Sequence, residues 1–224
     1  MGVLSSVYLA IVELALWTFG TISLSFLTSS RLVQIGVLIT MIFWRFKWMG
    51  ILGLFKPFAF SWPVMYLLAS GLTKSKAMLS ALTSNPTSTV VSPLYEEIIY
   101  RYIVPKVVES RVLPSFKYSD KLAVGISALL FCFAHRHSGS IGDLAVCLTS
   151  GIALNLRAAK NKSILETFLI HALHNLHVIS GKQEVEGQPA GGWLLSLIPT
   201  AVSQYIGPIG MYGAMVVWDM WRGK

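Results

Sequence analysis

The stretch STVVSPLYEEIIYRYIVPKVV, residues 88–108, sets two carboxylates, Glu96 and Glu97, and one guanidinium, Arg101, into an otherwise apolar run. Charged groups inside a membrane segment cost about 2.5–3.5 kcal/mol each on insertion scales, so they mark function by default. Ser92-Pro93 reads as a helix start, with proline in the first turn and two acids soon after. On that helix Glu97 and Arg101 stand four apart, share a face and can pair. Glu96 lies about 100° further round the axis and is free to point at something else.

Outward from this stretch, apolar segments recur at 3–27, 32–44, 57–73, 121–135, 141–158, 163–180 and 192–221. The whole chain of 224 residues is 54% apolar and only 12% charged, with a mean hydropathy of +0.63. Soluble domains are about 25% charged, so this balance excludes a disordered chain, a coiled coil and a basic nucleic-acid-binding domain. The expected fold is all-α: a polytopic transmembrane helical bundle of about seven or eight helices, some short or re-entrant, since a full crossing takes about 20 residues. Residues 32–44 and 121–135 are too short to cross alone. The aromatic and basic alternation at Trp44–Trp48 fits an interfacial helix end. Gly181–Gly192 reads as a solvent loop, and Gly207-Pro208 is expected to break the last segment into two short helices. The N-terminus has no positive n-region, Glu13 interrupts its apolar run and no A-x-A site follows, so it is read as a retained first span. With no internal repeat or linker, residues 1–224 are expected to form one integral membrane domain.

The net charge of +8 comes from 18 basic and 10 acidic residues. Arg45 and Lys47, Lys74 and Lys76, Arg157, Lys160 and Lys162, and Arg222 and Lys224 fall between apolar stretches. That placement suits loop charges facing anionic headgroups, making membrane lipids rather than nucleic acid the expected partner. If every segment crossed, basic loops would alternate sides, so at least one segment is expected to be re-entrant or interfacial. Cys132 and Cys147 lack CxxC spacing and read as packing residues.

Two further polar stations interrupt the apolar pattern. Phe131-Cys-Phe-Ala-His135-Arg136-His137 closes one segment, and His171-Ala-Leu-His174-Asn175-Leu-His177 lies within another. His171 and Asn175 share a helix face. All five histidines of the chain lie between residues 135 and 177. A carboxylate, two histidines and an amide suit activation of water and stabilisation of an oxyanion, which together hydrolyse an amide without a protein nucleophile. A metal site competes, because His and Glu also ligate zinc, although HExxH is absent. Glu96, His135 and His171 could supply three ligands with no fourth evident, so no metal or other cofactor is expected. Gly125-Ile-Ser127-Ala resembles a nucleophile site, but Ser127 precedes His135 by only eight residues in one segment. An aspartyl mechanism would need paired membrane aspartates, whereas Asp143 and Asp219 lie at segment ends without GxGD. A non-catalytic immunity or scaffold protein and a small proton-relaying transporter remain open on these residues.

In order, EExxxR (Glu96, Glu97, Arg101), FxxxH (Phe131, His135) and HxxxN (His171, Asn175) resemble the motifs of the CAAX protease and bacteriocin-processing family, also called the ABI family. The set is most similar to the eukaryotic type II CAAX prenyl endopeptidases, whose second motif tends to read F-G-x-A-H-x-H-H. Here Cys132 and Ser138 replace the Gly and the last His. The resemblance spans about 92–180, the expected catalytic core. It implies a metal-independent endopeptidase that removes the C-terminal aaX tripeptide from prenylated CaaX proteins. It also implies roles: Glu96 and His135 activate water, His171 and Asn175 form the oxyanion hole, and Glu97, Arg101 and Phe131 support them. His137, His174 and His177 receive no role. A eukaryotic member would reside in the endoplasmic reticulum membrane, a prokaryotic one in the plasma membrane. A superfamily protease of non-prenylated peptides is the nearest alternative.

Overall fold

The computed structural model describes residues 30, 32–40, 61–69, 75–111, 119–135, 140–186 and 205–222, together with Tyr8, Val12, Glu13 and Ala15. Every regular element among them is helical. Residues 32–40 form one helical piece. After it come α1 (Ser61–Ala69), α2 (Ser75–Ser84), α3 (87–111), α4 (Ser119–Ala134), α5 (Ile141–Asn161), α6 (Leu165–Glu186) and α7 (Gly207–Arg222).

The helix α3 is one rod made of four stretches. Thr87–Val91 and Ile98–Ile103 are π-helical, and Ser92–Glu97 and Val104–Arg111 are α-helical. The prolines explain the alternation. Pro93 and Pro105 each occupy the second position of an α stretch that follows a π stretch. A proline ring clashes with the carbonyl four residues back in ordinary α register. Here the residue before each proline reaches five back instead, Ser92 N–H to the Thr87 carbonyl and Val104 N–H to the Ile99 carbonyl. The helix therefore does not start at Ser92-Pro93, as the sequence suggested; it is already running and widens to pass the proline.

Three apolar clusters hold the helices together. Ile35 and Leu38 pack on Tyr95, Ile98, Tyr102 and Val107 of α3. Val104 and Val108 meet Ala123 of α4. Tyr66 of α1, Leu154 of α5, Ile170 of α6, and Tyr212 and Met215 of α7 form the third. Burying each large side chain fully contributes about 1.5–3 kcal/mol. Where α4 crosses α5, a Cβ on Gly151 would come within 3.2 Å of Ala128 Cα, so glycine is what lets the two backbones approach. Ser140 caps α5, accepting from Asp143 N–H at 3.0 Å. Lys162, left-handed at φ 52°, turns the chain into α6.

Beyond that turn lies a buried ionic cluster. Arg157 donates to both oxygens of Glu166, at 2.8 and 3.2 Å, and to Asp219 Oδ1 at 2.9 Å. Lys160 reaches the same Asp219 oxygen at 3.1 Å, and Asn161 donates to Glu166. Arg157 is thus not a headgroup-facing loop charge; it ties α5 to α6 and α7, and Lys160, itself exposed, adds a second contact to α7.

Other expectations meet the structure unevenly. The segments at 121–135 and 141–158 coincide with α4 and α5. At 16 residues α4 is about 24 Å long, short of a full crossing. Among the described residues α5 is the one helix long and apolar enough to cross a membrane. The polar run after Gly181 is not a loop from its start, because α6 continues to Glu186. A helix missing from the sequence reading, α2, fills part of the gap before α3. Gly207-Pro208 begins α7, after a π turn at 205–206, and residues 192–204 lie outside the described residues. So do most of 3–27 and all of Trp44–Trp48. Cys132 and Cys147 are free thiols.

Candidate active site

Three helices bring the motif residues together. The α stretch of α3 between its π turns carries Glu96 and Glu97, the end of α4 carries Phe131 and His135, and the second turn of α6 carries His171. Glu96 Oε2 lies 3.4 Å from His135 Nε2 and 3.6 Å from His171 Nε2. The expectation that Glu96 points away from the Glu97–Arg101 pair is met, and its targets are the two motif histidines.

Glu97 does more than pair with Arg101. Its Oε2 stands 3.5 Å from Arg101 Nε, while its Oε1 accepts from His171 Nδ1 at 2.9 Å. Both the Glu97 and the Arg101 side chains are fully buried. The carboxylate is therefore shared between a guanidinium and an imidazole. Arg101 also stacks on Phe131, its guanidinium carbon 4.3 Å from the ring centroid. The same ring lies 4.4 Å from His135 and 5.7 Å from His171, edge-on to the latter. Phe131 is the apolar wall against which both histidines are set.

Hydrogen bonds fix the orientation of both rings. His135 Nδ1 donates to its own helix at the Phe131 carbonyl, 2.9 Å away. A carbonyl can only accept, so Nδ1 carries a proton and Nε2 is the nitrogen turned toward Glu96. His171 donates from Nδ1 to Glu97 and likewise presents Nε2 to Glu96.

Asn175, a turn beyond His171, donates from Nδ2 to the Ser88 carbonyl at 3.0 Å. That carbonyl belongs to the first π stretch of α3. The amide keeps a second N–H. A cavity of about 350 Å³ opens beside it, and His135, Asn175, Ser88, Asp143, Cys147 and His174 contribute to its wall. Glu96 and His171 are not among the residues of its wall, but Glu96 lies 3.4 Å from His135, which is. Arg101 Nη1 and Nη2 and Glu96 Oε2 are buried without a hydrogen bond to the protein.

The rest of the histidine cluster divides. His174 bonds the Tyr66 hydroxyl and reaches the cavity. His177 is buried and does not line it. His137 lies outside the described residues. Ser127 is fully buried and donates to the Tyr100 carbonyl, which leaves no room for a nucleophile's role. Among the described residues no group of three or more His, Cys, Asp or Glu side chains has a metal-holding arrangement. Sequence reasoning missed Tyr66 and Ser88, since neither carries a charge or a motif and both come from distant turns.

No curated protein and no solved structure matches the chain. One family model does, over residues 78–177, a little under half of the chain and a segment that contains every motif residue. It is described as Rce1-like, type II CAAX prenyl endopeptidase Rce1-like, and this segment of the chain is similar to that family.

Proposed function

We propose that the protein is a multi-pass intramembrane endopeptidase that removes the aaX tripeptide from the C-termini of prenylated CaaX proteins. The observation that carries this is the meeting of His135 and His171 on one oxygen of Glu96, beside a cavity that His135 and Asn175 share. Glu96 takes a proton from a water that His135 Nε2 helps to hold. The hydroxide oxygen bonds to the scissile carbonyl carbon. The carbonyl oxygen becomes an oxyanion, and Glu96 then passes its proton to the departing amine as the C–N bond breaks.

Asn175 has a spare N–H for the oxyanion. With Nδ1–H committed to Glu97, His171 can donate to the oxyanion only if Nε2 also carries a proton, and Glu97 is then its counter-ion. Glu97, Arg101 and Phe131 hold that ring in place. No metal takes part in this scheme.

The surface supports a lipid setting. Leu129 and Phe133 of α4 and Val217 and Trp221 of α7 are each more than 60% exposed. Such side chains can face acyl chains, and a prenyl tail gains about 0.8 kcal/mol per CH₂ buried among them. Because CaaX proteins are made in the cytosol, the site would open to the cytoplasm from the endoplasmic reticulum membrane, or from the plasma membrane in a prokaryote. The substitutions at Cys132 and Ser138 favour one second reading, a family protease that cuts non-prenylated peptides.

Membranes carrying the protein should release aaX from a farnesylated CaaX peptide, and not from its lipid-free counterpart. Glu96→Ala should abolish release, and a chelator should leave it unchanged. Equal cleavage of the lipid-free peptide would favour the second reading. Chelator-sensitive release with stoichiometric zinc would replace the water-activating scheme by a metal one. No release from folded protein would overturn the peptidase function.

A further inference from the structure

His174 follows His171 by three residues, precedes Asn175 and lines the same cavity, yet the hydrolytic scheme gives it nothing to do. Its Nδ1 lies 2.7 Å from the hydroxyl of Tyr66, with the two rings edge-on at 6.1 Å. Tyr66 is 1% exposed and sits in an apolar cluster with Tyr212, Met211 and Met215. A buried hydroxyl must find an acceptor for its proton. Among the described residues His174 Nδ1 is the one acceptor within its reach. The hydroxyl therefore donates, Nδ1 accepts, and the neutral imidazole carries its own proton on Nε2. That N–H has no acceptor among the described residues, and the ring that bears it forms part of the cavity wall.

We infer that His174 is a substrate-contacting residue: its Nε2–H, fixed in direction and tautomer by Tyr66, donates to a backbone carbonyl oxygen of the peptide bound in the cavity. Neutral carbonyls suit the site better than a carboxylate, because among the described residues no lysine or arginine contributes to the cavity wall and Asp143 does. The second N–H of Asn175, one residue on, is left for the oxyanion, so the carbonyl that His174 takes is a different one of the bound peptide. This role presupposes the peptidase function proposed above.

Kinetics on the farnesylated peptide, with direct binding of that peptide to the inactive Glu96→Gln protein, test it. His174→Phe keeps the ring and loses the donor; KM should rise about 10-fold with kcat within about twofold, the worth of one buried hydrogen bond. His174→Gln, which restores an N–H, should recover most of the loss. Tyr66→Phe should raise KM about threefold by releasing the tautomer. The double variant Tyr66→Phe/His174→Phe should be no worse than His174→Phe, because Tyr66 acts through His174. Unchanged KM in His174→Phe, or full additivity in the double variant, overturns the inference. If the wild-type protein binds the peptide without cutting it, the peptidase function falls, and a 10-fold weaker binding in His174→Phe still supports the contact. A protein that neither cuts nor binds it overturns both.

Discussion

Two buried ionic clusters share helix α6, with Glu166 in one and His171, five residues on, in the other. The first is nearly closed. All three donor nitrogens of Arg157 are used, both oxygens of Glu166 are bonded, and Asp219 Oδ1 takes two cations, while Asp219 Oδ2 is left without a hydrogen bond among the described residues. The second is open. All three guanidinium nitrogens of Arg101 lack a hydrogen bond among the described residues, Glu96 Oε2 stands at 3.4–3.6 Å from two rings, and a cavity lies alongside. Both hold carboxylates and cations away from bulk water, so burial and charge do not tell structure from chemistry. The difference is saturation. A cluster whose donors and acceptors are spent on one another can only hold helices together, whereas unspent groups beside a cavity are available to water and substrate.

This contrast can be broken by experiment. The largest effect on turnover should come from Glu96→Gln, which removes the base and lowers kcat/KM by about 10²–10⁴-fold while the protein still accumulates in membranes. Wild-type turnover in that variant would make the open cluster as structural as the closed one. Next, Asn175→Ala should cost about 10²–10³-fold in kcat with little change in KM, as loss of an oxyanion donor does. A rise in KM alone would place Asn175 in substrate binding instead.

Arg157→Met should invert the pattern. It leaves Glu166 and Asp219 short of their shared cation and should destabilise the fold by about 3–5 kcal/mol, read as a lower melting temperature in detergent. Turnover of the folded fraction should stay within about threefold of wild type. A larger drop would mean that the closed cluster sets the position of His171 along α6. The smallest effect belongs to Ser127→Ala, which loses one hydrogen bond to the Tyr100 carbonyl, worth about 1 kcal/mol, and should keep its kcat. Loss of turnover there would revive a serine mechanism.

What the sequence revealed follows from which forces are local. The apolar runs at 121–135 and 141–158 become α4 and α5 because hydrophobic content alone drives them. The three motifs were visible because Glu96, His135 and His171 are costly in an apolar setting. Polar helical stretches and long-range partners were hidden. The run SKAMLSALTS gives α2, yet its serines and threonines read as a connector. Lys182, Gln183 and Glu184 are polar but good helix formers, so α6 outlasts its apolar face. The pairing of Arg157 with Asp219, 62 residues apart, has no local signature at all. Neither does the Tyr66–His174 bond, which spans 108 residues. Spacing finds partners on one helix, and only packing finds them on two.

The widened turns of α3 have a consequence for how this helix tolerates change in length. Each π stretch absorbs one residue more than an α turn would, just ahead of a proline. A five-residue π turn and a four-residue α turn advance the helix by nearly the same angle, so one residue removed from 87–91 or from 98–103 leaves the carboxylates and Arg101 close to their present faces. What opposes that shortening is the proline, which would then meet the carbonyl four residues back. The α stretch between the two π turns has no such slack. One residue inserted between Pro93 and Glu96 would turn both carboxylates about 100° against Ser88 and α6. The vulnerable events in such a helix are therefore indels between its widened turns, which can misalign the two carboxylates without altering either of them.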